Sequence, residues 1–104
     1  MAKLSFAEIA KTDIKEIWRS LAEIELTLAD RILDELYNKF LLLAQNPKIG
    51  RKHDEILINL RTFPHKKYII FYFPTEEGIE VYRVLHGARN LQTLFEEYFT
   101  GLEP

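Results

Sequence analysis

Apolar residues recur at spacings of three and four along the first half of the chain and at every second position along much of the second, so a helical region precedes an extended one. Ala10, Ile14, Ile17, Trp18 and Leu21 form one stripe, separated by Lys11, Lys15, Glu16 and Arg19, which predicts an amphipathic helix with a single buried face. Its start has two candidate caps, because Ser5 with Glu8 and Asp13 with Glu16 both have capping-box spacing. Leu4 and Phe6 flank Ser5 in the alternation of a short strand, so a strand to Phe6 is expected before the helix. A second stripe runs through Ala29, Ile32, Leu33, Leu36, Tyr37, Phe40, Leu41 and Ala44, with Thr27 as the expected cap and Asn46 and Pro47 as the end. The short break from Glu25 to Thr27 makes the two helices neighbours in an antiparallel hairpin that shares one core face. Trp18 and the Phe and Tyr positions of the stripes are expected in that core.

Beyond Pro47 and Gly50 the period changes. Leu57, Asn59, Arg61 and Phe63 alternate with Ile56, Ile58, Leu60 and Thr62, and Pro64 is expected to close that strand. The aromatic and β-branched run Tyr68 to Phe73 reads as a buried central strand, and Pro74 to Gly78 as a hairpin turn. Ile79 to His86 follows, with Val81, Arg83 and Leu85 expected on one face and Tyr82, Val84 and His86 on the other. Asn90 is placed to cap a last helix with the stripe Leu91, Leu94, Phe95, Tyr98 and Phe99. The order β-α-α-β-β-β-α predicts an α+β fold: a small, mainly antiparallel sheet with the N-terminal helical hairpin packed on one face and the other face partly open. A half-covered sheet on so short a chain suits a bound partner.

The length of 104 residues suits one domain over residues 1–104, and 47% hydrophobic content excludes a disordered chain. With no cysteine, a disulfide framework, a thiol nucleophile and any thiolate zinc site are excluded; neither a metal nor a cofactor is expected. An acidic Glu8 falls where a signal peptide would carry its apolar run, and no apolar stretch reaches the length of a membrane span. A soluble cytoplasmic protein with no membrane association is expected.

Charge changes the picture more than composition does. The net charge is −2, yet residues 47–73 hold six Lys and Arg against two acids, whereas residues 1–46 carry −2 and residues 74–104 carry −4. A basic centre suits an anionic partner, or else a set of solvated loop and strand residues. The candidate partner-binding cations are Arg61, Lys66, Lys67, Arg83 and Arg89. A metal-free nuclease needs a base, cations on the phosphate and an acid for the leaving oxygen; Arg61, Arg83, Arg89 and His86, with His65 as a second imidazole, supply those residue types. The competing readings are a hydrogen-bonding role for His86, a turn role for Arg89 after Gly87, and pairing of mid-strand Arg83 with an acid such as Glu80 or with an anionic partner. Gly-rich phosphate loops, G-x-S-x-G and H-E-x-x-H are all absent.

Three further features share one resemblance. The first-helix pattern of Ala10, Asp13, Ile14, Ile17 and Trp18 precedes Asn46, Pro47, Gly50 and Arg51 in an N-P-x-x-G-R loop. The strand Ile70, Phe71 and Tyr72 then precedes R-V-L-H-G-A-R from Arg83 to Arg89. Together they resemble the ParE toxins of the RelE/ParE toxin-antitoxin superfamily, over nearly the whole chain. The resemblance implies the toxin of a type II module, of the plasmid-stabilisation kind, that inhibits DNA gyrase by protein binding without being an enzyme. It also implies a cognate antitoxin whose extended and helical tail wraps the toxin in a hetero-oligomer. RelE-like members instead cut mRNA on the ribosome. Their pattern has an Arg directly after the Tyr that opens the central strand, where Tyr68 is followed here by Ile69, and a Tyr in the last helix where this chain has Phe95; Arg89 alone matches their catalytic arginine. The alternatives to the gyrase reading are therefore a ribosome-dependent endonuclease using Arg61, Arg83, His86 and Arg89, or an inactive homologue. Asn90 stands where the family commonly has Asp after G-A-R.

Overall fold

A computed structural model describes residues 2–87. The expected last helix, Leu91 to Phe99, lies outside the described residues, as does Arg89.

The first strand, β1 (Lys3–Phe6), leads through Ala7 into α1 (Glu8–Ala22). Neither expected capping box forms: Ala7 is the N-cap residue, Ser5 stays in β1 and donates its hydroxyl to the Ile79 carbonyl, and Asp13 lies inside the helix. The helix starts where it does because the chain must leave the sheet there; the Ala7 N–H is still bonded to the Val81 carbonyl. α2 (Leu26–Gln45) likewise begins earlier than expected, with Glu25 rather than Thr27 at the cap. Trp18 Nε1 donates to Asp30 Oδ1 at 3.0 Å, joining positions equally distant from the turn, so the helices are antiparallel. That bond also corrects the expected core position of Trp18, whose ring is only partly buried because its N–H reaches a surface carboxylate; Tyr37 is also exposed.

The sheet has the order β1-β5-β4-β3-β2, with β2 (Arg51–Lys52), β3 (Arg61–His65), β4 (Tyr68–Pro74) and β5 (Gly78–His86). β1 pairs in parallel with β5 and every other pairing is antiparallel. The helical hairpin covers one face. Ile14, Ile32, Leu36, Phe40 and Leu43 meet Tyr68, Ile70, Tyr72, Ile79, Val81 and Val84 there, each large side chain contributing roughly 1.5–3 kcal/mol by burial.

Two sequence expectations fail for identifiable reasons. The strand expected from Ile56 to Phe63 begins only at Arg61. Asn59 adopts φ 70° and gives its N–H to Asp54 Oδ1, a left-handed turn that Asn tolerates and that ends any extended run. Pro64 does not close β3; it lies inside it. The loop that replaces the strand brings Ile56, Leu57 and Leu60 over Phe71 and Leu85, so the second sheet face carries a small core of its own and is less open than expected.

The second failure is in β5. Tyr72 pairs with Val81 and Phe71 with Arg83, which leaves Tyr82 as an extra residue in a bulge. The bulge reverses the alternation: Val81 and Val84 share the helix-side core, while Tyr82 and Leu85 join the opposite cluster.

Candidate functional site

The N-P-x-x-G-R segment is a clasp at the exit of α2. The Asn46 side chain donates to the Leu42 carbonyl at 3.1 Å and so terminates the helix. The Tyr72 hydroxyl, from the middle of the sheet, donates to the Pro47 carbonyl at 2.8 Å and accepts the Gly50 N–H at 2.9 Å; burial pushes this phenol up from its ordinary pKa. A Cβ on Gly50 would fall 2.7 Å from the Tyr72 ring, so only glycine lets the backbone approach. Arg61 Nη1 completes the clasp by donating to the carbonyls of Gly50 at 2.7 Å and Lys48 at 3.0 Å. Tyr72→Phe leaves the Gly50 N–H without its acceptor in a buried setting, and should lower unfolding stability by about 2 kcal/mol, measured by urea denaturation. A change below about 0.5 kcal/mol would show that the clasp is held by packing alone.

Arg83 forms a forked ion pair with Asp13 of α1, Nε to Oδ2 at 3.0 Å and Nη2 to Oδ1 at 2.8 Å, and both side chains are 11% exposed. Asp13 Oδ2 also accepts the Val84 N–H at 3.1 Å. The partner of Arg83 is therefore an acid, as one reading of the sequence held, but it is Asp13 rather than Glu80. A carboxylate beside Ala10 and Ile14 on a buried stripe is the signal in the sequence that points to such a pair.

The other candidate cations lie elsewhere. His65 and Lys66 form the β3–β4 corner, where Lys66 adopts φ 55°, and Glu35 of α2 bonds both, His65 Nε2 at 2.9 Å and Lys66 Nζ at 2.8 Å. Those two bonds, Lys66 first, hold the Glu35 carboxyl below its ordinary pKa. Lys67 is exposed in the same turn, and its carbonyl accepts the Gly87 N–H. His86 is exposed at the end of β5 with its ring edge-on to Tyr68, centroids 5.5 Å apart. Arg61 is level with Tyr72 and His86 with Tyr68. The two are thus offset by four residues along β4, about 13 Å, and lie on strands either side of it. The fold brings His65, Lys66 and His86 to one end of the sheet and Arg61 to the other. Among the described residues no group of three His, Asp or Glu is placed to hold a metal ion, and no helix is long and apolar enough to cross a membrane.

The sequence reading missed His53. Its ring is buried, Nδ1 lies 2.8 Å from Glu55 Oε2, and Nε2 has no hydrogen-bond partner among the described residues. Nothing in its sequence neighbourhood marks it as buried, because the loop that covers it is set by Asn59 and Asp54.

Comparison with known proteins gives a consistent result. The family model for the ParE toxin of the type II toxin-antitoxin system parDE matches residues 4–91. Toxin ParE1 of Mycobacterium tuberculosis is 37% identical over 79 residues, covering 74% of this chain and 81% of that protein. Toxin ParE3 of Caulobacter vibrioides is 28% identical over 80 residues, covering 76% and 80%. Among solved structures, a chain of the chromosomal ParDE TA system from P. aeruginosa superposes with a TM-score of 0.69 over 83% of this chain and 96% of that one; at 18% identity the likeness is one of fold.

Proposed function

The chain belongs to the ParE toxin family of type II toxin-antitoxin systems, and from that premise we propose that it inhibits DNA gyrase by binding it and is neutralised by a cognate antitoxin. The observation that carries binding over RNA cleavage is the placement of the arginines. Arg83 is held in a forked pair by Asp13, whereas a nuclease needs its cations and its proton carrier together on one phosphate. Arg61 and His86 also stand at opposite ends of the sheet. Partner contacts then fall to the cations of the basic centre, with Lys66 and Lys67 exposed and Arg61 still offering Nε and Nη2, and to Arg89, a candidate outside the described residues.

Exposed apolar side chains support the antitoxin. Ile9 on α1 and Tyr37, Leu41 and Leu42 on α2 are each at least 38% exposed, and Tyr37 touches Phe6 of the edge strand β1. A tail that extends along β1 and lays an apolar helix face on the hairpin would cover them. The structural neighbour comes from a ParDE system, which suits a toxin-antitoxin hetero-oligomer here. Residues 1–104 act in this reading as one toxin domain in the cytoplasm, where gyrase and antitoxin are both met, without a cofactor.

Controlled expression of this chain alone in a bacterium, with DNA and protein synthesis followed separately over the first minutes, tests the proposal. DNA synthesis should stop first while messages stay intact, and co-expression of the antitoxin should restore it. Early loss of translation with cleaved messages would replace the gyrase reading by ribosome-dependent cleavage, and unaffected cells would mark an inactive homologue.

A further inference from the structure

The loop after α2 and the tip of the β4–β5 hairpin enclose a two-part cleft. One part, about 320 Å³, is lined by Lys48, Lys52 and Arg61 together with Asp54, Asn59 and Pro74. The other, about 430 Å³, shares Lys48 and Pro74 and adds the apolar surface of Pro47 and Ile49, with Thr75 and Glu76 at its far rim. Ile49 lies within the clasp, next to the buried Gly50, and is 49% exposed, so an aliphatic side chain is held out at that point.

We propose that this cleft docks an acidic, aliphatic-bearing segment of a partner protein, its carboxylate among Lys48, Lys52 and Arg61 and its neighbouring aliphatic side chain against Pro47, Ile49 and Pro74. The charge argument is local. All three of its cations come from residues 47–73, the one stretch of the sequence that is basic, so an anionic group is favoured beside them. Lys48, Lys52 and Arg61 against the single Asp54 carboxylate leave the first part of the cleft net positive.

Preorganisation adds to this. Arg61 is fixed through Nη1 by the Gly50 and Lys48 carbonyls, which leaves Nε and Nη2 unspent on those bonds and removes much of the entropy cost of immobilising a guanidinium on a ligand. Lys48 and Lys52 are exposed and stand on a backbone that the Tyr72 clasp holds rigid.

A nucleic acid is the competing occupant, and the lining disfavours it. Neither part of the cleft is lined by an aromatic ring on which a base could stack, and the second part offers a continuing phosphate chain one lysine among Pro47, Ile49 and Pro74. An alternating acidic and aliphatic peptide meets both parts in their order. The inference holds whichever protein is the toxin's target, and its test is independent of toxicity.

The full chain, labelled with 15N, is titrated with a five-residue peptide of alternating acidic and aliphatic residues, with the same peptide carrying amides in place of carboxylates, and with a uridylate pentamer. The acidic peptide should shift the amides of Lys48, Ile49, Lys52 and Thr75 at millimolar concentration, and the amide peptide should not. Raised salt should weaken the shifts, and Lys48→Glu with Lys52→Glu should lower affinity about tenfold or more while leaving the rest of the spectrum in place. The proposal is overturned if the acidic peptide leaves these amides unmoved, if the amide peptide binds as well, if charge reversal changes nothing, or if the uridylate pentamer shifts the same amides at lower concentration.

Discussion

Asp13→Ala should lower the unfolding free energy by about 3–5 kcal/mol, because it takes the carboxylate from a largely buried guanidinium and the acceptor from the Val84 N–H in one step. Against a stability of about 5–15 kcal/mol for a domain of ordinary size, that is enough to leave much of the chain unfolded in a cell. The pair links α1 to the bulged part of β5 over a sequence separation of 70 residues, so the loss is expected in global denaturation rather than in local fraying. The control is the double variant Asp13→Leu with Arg83→Met. Replacing both charges with apolar groups should recover the part of the loss that comes from the stranded guanidinium, while the Val84 N–H still lacks its acceptor. If Asp13→Ala moves the urea midpoint by the equivalent of less than about 1 kcal/mol, Arg83 has water or another acceptor to turn to, and it returns to the list of partner-binding residues.

Gly78→Ala should cost about 3 kcal/mol and act on one strand. The added Cβ would lie 2.7 Å from the Lys3 nitrogen and closer still to its carbonyl oxygen, both of them backbone atoms that cannot rotate away. Relief requires β1 to move off β5, and with it the parallel register from Lys3↔Gly78 to Phe6↔Val81 and the bond from the Lys3 N–H to the Glu77 carbonyl. Hydrogen exchange distinguishes this from general destabilisation: the amides of Lys3 to Phe6 should lose protection well beyond those of β3 and β4. Equal loss everywhere would mean that β1 is not a separable edge but part of the cooperative core.

The parts of the fold that were legible in the sequence are those whose signal is repeated within one element. The stripes of α1 and α2 each place several apolar residues on one face, so an error in the cap, as at Thr27 or at Ser5, shifts an end by a residue or two without losing the helix. The run from Tyr68 to Phe73 and the turn at Pro74 to Gly78 were legible for the same reason, and the N-P-x-x-G-R and R-V-L-H-G-A-R motifs together pointed to the family. Where a single residue overrides a period, the reading failed. Asn59 turned an alternating run into a loop, and the extra Tyr82 exchanged the faces of β5.

Amino-acid order alone therefore determined the helical hairpin, the antiparallel strands around Tyr68 to Phe73, the basic centre and the family, because periodicity, turn chemistry and charge runs are local properties that survive without knowledge of contacts. Only the tertiary structure decided what the arginines do. Arg61 and Arg83 look alike in the sequence as mid-strand cations, but each is assigned by a partner far along the chain, Gly50 and Lys48 for one and Asp13 for the other. Such partners are chosen by the register and the bulge that bring them within hydrogen-bond reach, and a charged group away from water is settled by the acceptors nearest to it, carbonyls for Arg61 and a carboxylate for Arg83, rather than by its neighbours in sequence.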